Sequence, residues 1–187
     1  LRPRNNLRII EKISISSDRG GVKVVIARDE NSNFNTRVNA QRDIREKACE
    51  YVINNILMGN QKEVLFIDGG STGYIFFNIL KKKEICDLSI ITNNPAILGS
   101  LSSDENFFYK NTVIVTGGRV DPSRLSLHSI SQRADFFAGK RTYPIIGICI
   151  LGVRAIAADG DVYVENIESK DEITRKKNLI SNSRQLV

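Results

Sequence analysis

Five residues in the middle of the chain, Asp68-Gly69-Gly70-Ser71-Thr72, are of the types that a phosphate or sugar site requires. Glycines let a backbone approach a ligand closely, and the amides that open a following helix present partial positive charge to it. Ser71 and Thr72 add hydroxyl donors, and the Asp68 carboxylate can accept from a sugar hydroxyl. A donor-rich loop beside one acid suits a phosphorylated small molecule. The same glycines would also serve a plain strand-to-helix turn, so the loop alone leaves both uses open. It lacks the Gly-Lys-Ser/Thr ending of a nucleotide-cradling loop.

Three more segments share this character: Thr92-Asn93-Asn94, Thr116-Gly117-Gly118-Arg119 and Gly152. Asn93 and Asn94 can donate to and accept from sugar hydroxyls, although asparagine also simply tolerates turns. Arg119 can pair with a phosphate or stand solvated. Glu172 and Lys176, four residues apart, fit a helix-surface pair worth ~0.3 kcal/mol. Catalytic groups are few. His128 is the sole histidine, falls in a predicted helix and has no acidic or cysteine partner close in sequence, which favours packing over general-base work. No metal-ligand spacing and no cofactor motif is visible.

The elements that would position these residues alternate. Apolar runs predict strands over 64–67, 88–91, 112–115 and 144–151. Helical periods predict helices over 44–58 (apolar at Ala48, Tyr51, Val52 and Ile56), 72–82, 95–101, 127–137 and 170–181. Residues 7–15 read as a hairpin or wing remnant, 29–40 as a linker rich in Asn, Asp, Ser and Thr, and 153–167 as an irregular or hairpin-like stretch. Strands alternating with helices predict an α/β fold with a largely parallel sheet and helices on both faces. In such open sheets ligands bind beyond the carboxyl ends of the strands. All four polar segments would then share one edge, which argues for a site more strongly than any one of them does.

Composition bounds the rest. The 187 residues, 41% hydrophobic and 26% charged, suffice for one core or a core with a small appendage. No apolar run approaches the ~20 residues a bilayer span needs, so no membrane partner is expected. Cys49, Cys86 and Cys149 are odd in number and far apart, as expected of reduced core thiols in a cytoplasmic protein. The start at Leu1 predicts a piece of a longer protein. Of the net charge of +6, five units fall in residues 1–28, where seven basic side chains face Glu11 and Asp18. The organisation expected is therefore a basic head over 1–28, suited to a polyanion or to a connector beside a module that binds one, and a ligand-binding domain over 29–187.

These motifs, in this order, resemble the effector-sensing region of the DeoR-type family of bacterial sugar-catabolism repressors. Arg19-Gly20-Gly21-Val22 is similar to the close of that family's winged helix-turn-helix, and Phe34-x-x-Arg37 to the linker that follows. Phe66-Ile67-Asp68-Gly69-Gly70-Ser71-Thr72 resembles its Asp-x-Gly-Thr/Ser-Thr loop, and Thr92-Asn93-Asn94 its Thr-Asn-Ser/Asn loop. Gly117-Gly118 resembles its paired glycines, Gly147 and Gly152 a later glycine pair at wider separation, and Glu172 with Lys176 its final-helix Glu…Lys pair. The sequence departs from the pattern in lacking a glycine around His128-Ser129, in retaining only a wing-like tail of the DNA-reading module, and in stopping inside the strand that would end Asp-x-x-Lys.

The resemblance implies a Rossmann-like domain related to ribose-5-phosphate isomerase and glucosamine-6-phosphate deaminase, recast as a non-enzymatic sensor. Its partners would be a phosphorylated sugar effector, operator DNA through an N-terminal module largely absent here, and further copies of itself. The alternative is an isomerase or deaminase on the same scaffold. That chemistry needs a positioned base, for which Asp68, Asp159 and Glu172 are the candidates, and the resemblance gives none of them that job.

Overall fold

The computed structural model describes residues 10–13, 33–58, 63–101, 104–122, 125–128, 145–153, 155–156, 162–165 and 170–187. In chain order these form β1 (Ile10–Ile13), α1 (Phe34–Asn39), α2 (Arg42–Val52) running into a π-helical turn (Ile53–Leu57), β2 (Val64–Ile67), α3 (Ser71–Lys82) and β3 (Ser89–Thr92). Then follow α4 (Pro95–Leu101), α5 (Glu105–Lys110), β4 (Thr112–Val115), β5 (Arg119–Asp121), β6 (Ser126–His128), β7 (Ile146–Ile150), β8 (Ala155–Ile156), β9 (Val162–Glu165), α6 (Lys170–Ser181) and β10 (Ser183–Leu186).

Five strands make one sheet in the order β10-β7-β2-β3-β4, and every pair is parallel. Central parallel strands are covered on both faces, which is why they read as unbroken apolar runs. Along β2, Leu65 and Ile67 turn to a core shared with α2, α3, α4 and α5, while Phe66 turns to a second core with Ile173, Leu179 and Ile180 of α6. The domain has the expected α/β architecture, with helices on both faces of the sheet. From β2 the chain builds outward through β3 to β4, then crosses to the other side of β2 for β7 and β10. The order reverses between β2 and β7, and a crevice opens at such a switch point beyond the carboxyl ends of the strands.

Two small sheets flank this one. β5 pairs antiparallel with β6, and β1-β9-β8 form an antiparallel trio. The stretch over 153–167, expected to be irregular or hairpin-like, holds β8 and β9, paired antiparallel. Residues 10–13 of the expected N-terminal hairpin pair with Val162–Glu165, far along the chain.

Three expectations are corrected. The linker over 29–40 contains α1, because the Asn33 side chain accepts from the Thr36 amide and caps a helix whose Phe34 ring packs edge-on against Tyr74. The helix expected over 127–137 begins as strand β6, drawn into extension by pairing with β5; residues 129–144 lie outside the described residues. In α2 the buried face is Arg45, Cys49 and Val52, continued by Ile53 and Leu57, while Tyr51 points outward. Gly20, Gly21 and Asp159 also lie outside the described residues.

Candidate functional site

β2 delivers Asp68 to the switch point, and the chain then turns through Gly69 and Gly70 into α3. Gly70 holds φ +106° and ψ 175°, a region essentially closed to residues with a side chain. It stands at the N-cap of this twelve-residue helix and, being glycine, offers its first amides no side-chain acceptor. Gly69 permits a different contact. A Cβ there would fall 2.3 Å from Ser126 Cβ, so the β5–β6 hairpin lies directly on the loop. The Leu127 amide also donates to the Asn93 carbonyl at 2.7 Å.

Asp68 is buried and committed to its own protein. Its Oδ2 accepts from Lys176 Nζ at 2.7 Å and from the Gly152 amide at 3.1 Å; its Oδ1 accepts from the Gly69 amide at 2.9 Å and lies 3.6 Å from an Arg175 nitrogen. Lys176 Nζ also donates to the Gly152 carbonyl at 2.5 Å. Burial alone would push the Asp68 carboxyl up. The Lys176 and Arg175 charges outweigh it, helped by hydrogen bonds from Lys176 and the Gly69 amide, and hold the group well below the usual carboxylate range. At 4% exposure this acid accepts three hydrogen bonds from its own protein, which leaves it buried beneath the loop.

The Thr-Asn-Asn segment after β3 is largely spent on backbone. Thr92 Oγ1 donates to the Ile67 carbonyl at 2.7 Å and accepts from the Asn94 amide at 3.0 Å. Asn94 Nδ2 donates to the Gly70 carbonyl at 3.0 Å, bracing the loop, and its Oδ1 accepts from the Ala96 amide to start α4. Asn93 differs. It is 1% exposed, and neither its Oδ1 nor its Nδ2 has a hydrogen-bond partner among the described residues. That amide lies beside the loop, with Nδ2 3.5 Å from where a Gly69 Cβ would stand. A buried amide without a partner is costly, and a ligand is one way of satisfying it.

The structure therefore brings together Asp68, Gly69, Gly70, Ser71, Thr72, Asn93, Asn94, Gly152 and Lys176. Gly117, Gly118 and Arg119 are exposed on the turn from β4 into β5, next to His128 through the pairing of Arg119 with it. Glu172 stands in α6, its side chain outside the described residues. Gly147 lies within β7 against Glu63, away from this cluster. His128 has partners that its sequence neighbourhood did not suggest. Its Nε2 lies 2.9 Å from Ser126 Oγ and 3.5 Å from Asp121 Oδ2. Both of these contacts fall on the same ring nitrogen.

One residue at the site was not foreseen. Arg45 of α2 is buried, and its guanidinium donates 2.8 Å bonds to both Ser71 Oγ and Thr72 Oγ1. It also donates to the carbonyls of Arg37 and Ala40, the latter at 3.4 Å. The signal was its spacing: Cys49 and Val52, extended back one turn, place residue 45 on the inner face.

A parallel α/β domain with a glycine-shaped, polar loop cluster at its switch point is the class these features define. The chain belongs to the DeoR C terminal sensor domain family, whose family model matches residues 40–187. Among solved structures it is similar to a ribose 5-phosphate isomerase from Plasmodium falciparum, at 13% identity and TM-score 0.44, over 77% of this chain and 48% of that one. No curated protein matches it.

Proposed function

We propose that this domain senses a phosphorylated sugar and passes its presence to a DNA-binding module joined at the N-terminal side, changing that module's hold on operator DNA. The observation that carries the reading is the glycine-capped N-terminus of α3 beside the buried amide of Asn93, which has no partner among the described residues. The phosphate would sit against the amides and hydroxyls of Gly70, Ser71 and Thr72, and the sugar would face Asn93 under the β5–β6 hairpin. Asp68, Lys176 and Gly152 form a fixed ionic floor beside them. Membership of a sensor family supports regulation over turnover. So does the engagement of Asp68, since an acid held by Lys176 and Arg175 is a poor general base. The basic residues 1–28 fit a connector close to a polyanion. A self-associating regulator would read a symmetric or repeated operator.

A thermal-shift screen of aldose and ketose phosphates, each beside its free sugar, tests this. An ester at 100 times its dissociation constant stabilises the fold by ~2.7 kcal/mol, or about 5–11 °C for a chain of this size. If no ester stabilises the protein more than its free sugar, the reading fails. Turnover of a bound ester, followed by proton NMR, would transfer the site to the isomerase or deaminase class.

A further inference from the structure

Arg45 is the buried charge that the proposed function leaves without a task. Its guanidinium reaches two places at once: forward to the hydroxyls of Ser71 and Thr72, and back to the carbonyls of Arg37 and Ala40 at the C-terminal end of α1. Resting on the sensor reading above, we propose that Arg45 is the positioning residue of the phosphate subsite. It turns both hydroxyls into donors aimed at the phosphate, and it ties occupancy of that subsite to α1.

The argument begins with proton accounting. A serine or threonine hydroxyl has one proton and two lone pairs, whereas an arginine only donates and stays charged at any pH a protein survives. With one lone pair on each oxygen accepting from Arg45 at 2.8 Å, the hydroxyl proton must point elsewhere. A cation at an oxygen's lone pair also polarises its O–H, which strengthens that group as a donor. Beside these hydroxyls are the first amides of α3, which are donors as well, and the N-cap glycine offers them no side-chain acceptor. At Gly70 the side-chain direction is open, with nothing within 4 Å of where a Cβ would stand. Asn93 adds, close to Gly69, a buried amide with no partner among the described residues. A cluster of donors backed by a fixed positive charge favours phosphate over a neutral hydroxyl.

The second half follows from the other nitrogen of the same planar group. A guanidinium moves as a rigid fork, so a phosphate that draws one nitrogen shifts the other against the α1 carbonyls. In the sequence α1 follows the basic residues 1–28 and precedes α2 and the rest of the domain. Arg45 thus joins the proposed ligand site to the segment through which a signal must leave.

Titration of the 187-residue chain with inorganic phosphate by calorimetry, paired with amide hydrogen exchange over residues 34–40, tests both halves. Arg45→Met should weaken phosphate roughly 10- to 100-fold, the span expected for losing hydrogen bonds backed by charge. Arg45→Lys, which keeps the charge, should recover part of that loss. Phosphate should change exchange over residues 34–40 in the parent chain and leave it unchanged in Arg45→Met. If Arg45→Met fails to fold, Ser71→Ala with Thr72→Val keeps the arginine and removes the groups it acts through, and the same loss is expected. Parent-like phosphate affinity in that double variant or in Arg45→Met, or an α1 response that survives without Arg45, would overturn the proposal. If the parent chain binds neither inorganic phosphate nor any sugar ester, the sensor reading itself fails and takes this role with it.

Discussion

Asp68→Asn is the most informative single change, because it removes a charge without removing volume. The carboxylate lies 2.7 Å from Lys176 Nζ and 3.6 Å from an Arg175 nitrogen, and all three residues are at most 7% exposed. At an effective dielectric constant of ~20 the nearer pair alone attracts by about 6 kcal/mol, most of it offsetting the cost of taking both charges out of water. Removing one member of such a buried pair leaves the desolvation cost in place, so the expected loss is about 3–5 kcal/mol. For a chain of this size that lowers the melting midpoint by about 6–20 °C. Urea titrations at pH 7 of Asp68→Asn, Lys176→Met and the double variant provide the assay. The double variant should cost less than the sum of the two, by at least about 1 kcal/mol, since direct partners couple. The pH dependence has a definite sign. Because the folded carboxyl is held below its unfolded value, its contribution is complete above pH ~4 and is lost as the pH falls through the folded value. Asp68→Asn should therefore lose stability less steeply in acid than the parent. A loss under about 1 kcal/mol, or single costs that add within about 0.5 kcal/mol, would refute the assignment of Asp68 as a charge shared by α6.

Other expectations follow from the same loop. Gly70→Ala meets no steric neighbour, so its cost is that of backbone strain alone, about 1–3 kcal/mol by urea titration; an unchanged midpoint would mean the φ of +106° is not required. Gly69→Ala drives a methyl into Ser126 and should cost a similar amount. Adding Ser126→Gly should restore part of it, and no recovery would mean that the hairpin does not rest on the loop. Thiol labelling with a chromogenic disulfide at pH 8 should modify Cys86 rapidly. Cys49 and Cys149, whose thiols burial pushes up to about 12, should react only on unfolding, and more than one fast thiol in the native protein would contradict this.

What the sequence revealed and what it hid follow one physical division. Strands Val64–Ile67 and Thr112–Val115 and helix Lys170–Ser181 were legible to the residue, because local apolar runs and a local helical period define them. Leu127 and His128, expected to open a helix, lie instead in the strand Ser126–His128, since its extension comes from pairing with Arg119–Asp121 rather than from its own residues. Helix Glu105–Lys110 went unseen. Six residues are too few to show a period, and it is held by the Asp104 cap and by Phe107 packing on Phe77. At the site, the glycine turn and its hydroxyls could be read directly, and Lys176 came from family resemblance. That Lys176 closes on Asp68, and that Arg45 stands behind Ser71 and Thr72, could not be read, because both depend on contacts between elements distant in the chain.

The bond from Lys176 to Asp68 spans 108 positions, and this has a consequence for how the protein is made. Strands β2, β3 and β4 with the helices between them are contiguous, so that half of the sheet can assemble from short-range contacts as it leaves the ribosome. Its central strand β2, however, waits for β7 on its open edge, and Asp68 waits for α6. At ordinary synthesis speeds of 5–20 residues per second the delay is about 5–20 s. During that interval a strand edge and a carboxylate destined for the interior both face water. The ion pair is therefore a late seal: it forms only when α6 folds back over β2 and ties the second half of the chain to the first.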